Sequence, residues 1–172
     1  MLCGFESHTV HKNLSKGESI LSLEMETANY LIHLSNNDEE NGENISLSNN
    51  KLQCLLFLLQ NYHYEQHGTL YFEQDTFLMG EFSPIIPSVN KKFQVFGANN
   101  LFLTKESNYD TIDNVRKESI QDIWEYTKNF STSFIIKSLV ENERIWNTFY
   151  KDKSMGDKIS NQEFIEFIQN LS

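Results

Sequence analysis

Between residues 48 and 68 the chain reads SNNKLQCLLFLLQNYHYEQHG. At helical spacing, Leu52, Leu55, Leu56, Leu59, Tyr62 and His63 fall on one side, and Cys54, Phe57 and Leu58 on another. A helix apolar around so much of its circumference has to be surrounded by other elements. Gly68 suits the left-handed position just beyond its end. The rest of the chain must wrap this segment, which predicts a domain organised around one buried helix.

The remaining patterns supply the wrapping. Leu23 to Ser35 carries Met25, Ala28, Ile32 and Ser35 along one stripe. Ile120, Ile123, Trp124, Thr127 and Phe130 form another helical face, and the run SFIIKSLVENERIWNTFY presents Ile135, Leu139, Trp146 and Phe149 for burial. Ser160-Asn161-Gln162-Glu163 is a capping-box pattern that opens a last helix, with Phe164, Phe167, Ile168 and Leu171 facing the core. TLYF and TFLM flank Glu73-Gln74-Asp75 and read as a short hairpin. The acidic run NNDEENGEN, residues 36 to 44, reads as a mobile loop, and residues 1–20 as a weakly structured lead-in. The expected fold is mainly α, a compact single helical domain over 21–172 with a small β-hairpin.

Both prolines of the chain stand three apart in FSPIIPSVNKKFQVFG. Pro84 drives Ser83 towards extended backbone, and Pro87 fits the first turn of a helix, where its missing N–H costs nothing. Val89, Phe93 and Phe96 then make a stripe that Gly97 stops. The pair is a rigid lead-in that aims a short helix.

A formal charge of −10 repels phosphate backbones and attracts a basic partner, so direct nucleic-acid contact is not expected. Cys3 and Cys54 are placed so that a disulfide is not expected, and thiol usage fits a reducing cytosol. No apolar run reaches the roughly 18 residues of a membrane span. No basic start followed by an apolar block marks a signal peptide. The expectation is a cytoplasmic protein without membrane contact.

His63 and His67 sit one helical turn apart, a spacing that can grip zinc. The zinc-protease pattern wants Glu directly after the first His, where this chain has Tyr64, and no third ligand is visible. Residues 152 to 163 have the length of a calcium loop, from Asp152 to Glu163. The sixth position, which needs Gly, is Asp157, and the fifth, which should supply oxygen, is Gly156. Neither pattern is complete, so no metal or other cofactor is expected. No glycine-framed serine, phosphate-cradling loop or thiol with a placed His points to catalysis.

From Lys51 to Gly97 the order of features resembles the Panacea domain, a family common in prophages and mobile elements. KLQCLLF supplies the Lys-Leu-Gln, Leu-Leu and aromatic of its helix through Lys51, Leu52, Gln53, Leu55, Leu56 and Phe57. Gly68, LYFEQDTF, Ser83-Pro84-Ile85-Ile86-Pro87, Phe93 and Gly97 follow in the order of the family's turn, strand, proline step, aromatic and glycine. Glu143 and Trp146 match a Glu-x-x-Trp step, and GDKISNQEFIEFI a glycine turn into the last helix, so the likeness spans about residues 20 to 170. The chain departs from the family at Gly80 (a Trp), Ser83 (a Gly), Cys54 (a basic residue) and Glu141 (a His).

The resemblance implies a non-catalytic antitoxin that neutralises a small toxin by direct contact. Occlusion would be its mechanism, in a helical groove beside the Pro84–Pro87 lead-in. The candidate partner-binding residues are Lys51, Gln53, Tyr62, Phe82, Pro84, Pro87, Phe96 and Trp146, with Tyr62, Phe82 and Phe96 as aromatic anchors. Two other readings compete. One is a phage-encoded inhibitor of a host defence nuclease, its carboxylates standing in for phosphates on a nucleic-acid-binding protein. The other is a metal-dependent or calcium-responsive protein using His63 and His67 or the Asp152–Glu163 loop.

Overall fold

The structure, a computed structural model, describes residues 20–171. At its centre is the apolar segment, a helix α2 (Asn49–His67) that touches α1 (Leu23–Glu40), α3 (Pro87–Phe93), α4 (Asn114–Thr127), α5 (Thr132–Glu141) and α7 (Asn161–Gln169). Ser48 caps it by accepting the Lys51 N–H, and Gly68 ends it at φ 69°. Leu52, Leu55, Leu56, Phe57 and Leu59 are completely buried. Phe57 meets Phe149 edge-on at 5.1 Å between ring centroids and Phe164 at 5.6 Å, so aromatic packing joins α2 to the C-terminal third. The molecule is mainly α with a small antiparallel sheet, as the periodicity predicts. Among the described residues no helix is long and apolar enough to cross a membrane.

The sheet is not the hairpin predicted from the sequence. Its centre is β1 (Phe77–Met79), paired antiparallel with β2 (Pro84–Ile85) on one side and β3 (Lys158–Ile159) on the other. The turn is therefore residues 80–83, and TLYF is not a strand. Side chains take the backbone groups that TLYF would have offered to a ladder. Gln60 accepts from Phe72 N–H at 2.8 Å and donates to its carbonyl at 3.1 Å, Asn161 donates to the same carbonyl, and Arg116 donates to the Tyr71 carbonyl. Pro84 sits on an edge strand, where a missing N–H is tolerated. Pro87 occupies the first turn of α3, as expected.

α1 runs through Glu40, past the start of the acidic stretch expected to be a mobile loop. Tertiary bonds hold that extra turn. Asn36 bonds the Leu101 carbonyl and the Leu103 N–H, and Asp38 accepts from the Trp124 indole at 2.8 Å. The run from Phe134 to Tyr150 is not one helix. Asn142 is extended at ψ 106°, ends α5 and caps the short α6 (Glu143–Ile145), which passes into a π-turn over Trp146–Tyr150. A register counted from Leu139 does not survive those breaks, so Phe149 is buried while Trp146 keeps 40% of its surface exposed. The capping box at Ser160 and Glu163 forms as predicted. Cys3 and the lead-in up to residue 19 lie outside the described residues.

Candidate functional site

The residues singled out in the sequence do not form one surface. Lys51 and Gln53 are buried at 2% and 1% exposure, and Pro84 is buried too, so none of them is available to a partner. Their positions have an internal purpose. The Lys51 ammonium donates to the Lys128 carbonyl beyond the end of α4 and lies 5.8 Å from the centre of the Trp124 ring. Gln53 accepts the Ile86 N–H at 2.9 Å and donates to Asn49, which bonds Asn90. The Lys-Leu-Gln motif thus ties α4 and the proline lead-in to the central helix.

Pro87 is exposed, Phe96 packs edge-on against Phe102 at 5.0 Å, and Trp146 stacks on Tyr150 at 5.7 Å. Phe82 tops the 80–83 turn and lines a cleft of about 310 Å³ with Met155 and Gly156. Gly80 is required beneath it. A Cβ there would stand 2.5 Å from the Ser83 carbonyl oxygen, which accepts the Gly80 N–H.

His63 is buried, its Nδ1 2.7 Å from the Ser119 hydroxyl, and His67 Nε2 lies 3.4 Å from the same hydroxyl on the exposed side. Burial, reinforced by the adjacent His67, lowers the His63 pKa to about 4. The Ser119 hydroxyl thus bridges the two imidazoles. In the 152–163 loop Glu163 is engaged by Lys153 at 2.7 Å and by the Ser160 N–H, and Asp157 accepts from the Ser154 N–H. Among the described residues no group of three His, Cys, Asp or Glu converges to hold an ion. Burial raises the Cys54 thiol pKa to about 11, far from a reactive thiolate.

One site stands out, and sequence reasoning missed most of it. A groove of about 580 Å³ opens between α2, α4 and α7. Leu58 and Tyr62 line it from α2, Ile123 and Tyr126 from α4, Ile145 from α6, and Phe167 and Ile168 from α7, with Leu171 just beyond. A second hollow of about 370 Å³ shares Leu58, Tyr126, Thr127 and Ile145 and continues along α5 past Phe130 and Phe134. Tyr126 is 75% exposed and Phe134 52%, so apolar surface faces solvent along the whole trough.

Glu65, Asp122 and Glu125 line the groove, and among the described residues no Lys or Arg does. Asp122 accepts the Tyr62 hydroxyl at 2.8 Å, and that bond raises the Tyr62 pKa. Glu125 shares Lys128 with Asp38 and Glu43, whereas neither Glu65 nor Asp122 has a cationic partner among the described residues. The Asn61 Nδ2 is spent on the Phe57 carbonyl, and its buried Oδ1 has no donor among the described residues.

The expected groove lay beside Pro84–Pro87, but no residue of that segment lines this one. Of the candidate anchors only Tyr62 belongs to it. The missing signal is the last helix. Its stripe Phe164, Phe167, Ile168 and Leu171 reads as core, yet only Phe164 is buried and the other side chains form the groove wall. Comparison of the chain with protein-family models, with curated proteins and with solved structures finds no match.

Proposed function

We propose that this protein is a non-catalytic binding module that neutralises a toxin by direct contact in the cytoplasm of a bacterial host. The observation that carries the reading is the apolar groove with its carboxylate rim. It offers unpaired apolar surface for burial and fixed charge for orientation, the combination that gives a protein interface its affinity and its register. The order of Panacea-like motifs and the charge of −10 support the same reading. Neutralisation is steric: a segment the toxin needs free is covered in the groove, and no bond is made or broken.

The competing inhibitor of a defence nuclease needs free carboxylates in a row. Asp38, Glu43 and Glu125 gather instead on Lys128, so the groove is the better-supported feature. Co-expression with the product of the adjacent reading frame tests the proposal. Growth arrest by that product alone, relief by this protein and co-purification of the two are expected. Relief without a complex, or no relief, contradicts it.

A further inference from the structure

The chemistry of the groove specifies its occupant. We infer that the groove between α2, α4 and α7 receives an amphipathic α-helix of a protein partner, its apolar stripe flanked by Lys or Arg, an inference that rests on the proposed binding role.

The walls select a helix over a strand. The lining side chains come from α2, α4, α6 and α7 or the residues next to them, so the wall backbone is already bonded within helices. An extended peptide laid there would bury amides with nothing to pair with, at a cost that apolar contact must first overcome. A helix brings its own backbone bonds and needs only side-chain anchors at i, i+3 or i+4, and i+7. The α2 wall from Leu58 to Glu65 spans about 10 Å, roughly the length over which such anchors repeat. The adjoining hollow past Phe130 and Phe134 lets the helix run on.

The rim selects the charge. Among the described residues, Glu65 and Asp122 have no cationic partner and no cation lines the groove to meet an acidic ligand. A Lys or Arg beside the apolar stripe would satisfy both carboxylates. A second copy of this chain is a poor occupant, because it would bring another net −10 to the same rim. An anionic membrane surface fails for the same reason.

The test uses the full chain, isotopically labelled, and synthetic helix-forming peptides. One carries Leu at i, i+3, i+4 and i+7 with Lys flanks; a second has Glu for Lys; a third has a central Pro in the Lys peptide. The Lys peptide is expected to bind about tenfold or more tighter than either control, more weakly as salt rises. It should shift the amides of Asn61, Tyr126 and Ile168 and spare those of Phe82 and Met155. The exposed-rim variant Glu65→Lys with Asp122→Lys, checked for native helicity, is expected to prefer the Glu peptide. No binding of the Lys peptide up to about 1 mM overturns the inference. So do equal affinities for all peptides, shifts centred on Phe82, or a concentration-dependent dimer that shifts the groove amides with no peptide added. Groove binding without toxin neutralisation upholds this inference and removes the toxin role. Neutralisation by a chain whose groove ignores every peptide overturns the inference and keeps the role.

Discussion

The Lys51 ammonium donates to the backbone carbonyl of Lys128 across 2.8 Å, from a residue only 2% exposed. A buried amine is costly unless it is paired, and burial lowers its pKa. The carbonyl just beyond α4 and the Trp124 face supply the compensation, since a helix C-terminus favours a cation. Replacing Lys51 by Met fills the space but leaves that carbonyl without its partner. The expected loss is roughly 1–3 kcal/mol of unfolding free energy, measured by chemical denaturation. An unchanged midpoint would show that the bond contributes nothing.

His63 makes stability depend on pH. Its folded pKa of about 4 lies below the ordinary 6.5, so between those values the unfolded chain binds a proton that the folded chain refuses. Stability is therefore lost as pH falls from about 6.5 towards 4, by at most about 3 kcal/mol at 1.36 kcal/mol per unit. The difference in unfolding free energy between the natural chain and His63→Asn should narrow as the pH drops through that window. A difference constant from pH 7 to pH 4 would contradict the assignment.

Gln60 substitutes for a strand. It bonds both the N–H and the carbonyl of Phe72 and is itself completely buried. Gln60→Leu keeps the volume but strands the Phe72 N–H, while the carbonyl keeps only Asn161, which should cost roughly 1–3 kcal/mol. Thermal unfolding reads the effect directly. Gln60→Glu, able to accept but not donate, is expected to fare no better.

Gly80 is fixed by space. An added methyl would stand 2.5 Å from the Ser83 carbonyl oxygen and 2.7 Å from Ile85, so Gly80→Ala must push the turn open. A loss of about 1–3 kcal/mol is expected, with the β1–β2 amides exchanging faster by hydrogen exchange. Gly42, where a Cβ meets nothing but φ is +87°, tests the other constraint, conformational strain without a clash.

Much of this fold is legible in the sequence because helical periodicity reports burial directly. α2, its Gly68 terminus, the Pro87 start of α3 and the Ser160–Glu163 capping box are local features with local signals. The hairpin falls elsewhere than TLYF suggests because Gln60 and Asn161, distant from TLYF in sequence, claim its backbone. The candidate site is the hardest part to read. Apolar spacing says that Phe167 and Ile168, with Leu171 just beyond, share one side of α7, but not whether another element covers that side. Lys51 and Gln53 enter as candidate partner-binding residues with the Panacea-like Lys-Leu-Gln motif, and only the fold shows their buried partners.

Tyr126 and Leu171 project from the groove wall into solvent, at 75% and 39% exposure. Tyr126→Ser combined with Leu171→Ser is expected to leave stability within about 1 kcal/mol while weakening partner binding by tenfold or more. Calorimetry of the chain alone and titration with the partner separate the two effects. Equal affinity for the variant and the natural chain would place the interface elsewhere.

Amide hydrogen exchange on the full chain, alone and in complex with the toxin we propose it neutralises, tests the central claim most directly. Slowed exchange is predicted over Leu58–Glu65, Asp122–Thr127 and Phe167–Leu171, with the 80–83 turn unchanged. Protection confined to the Phe82 and Met155 cleft, with the groove exchanging as in the free chain, would contradict it.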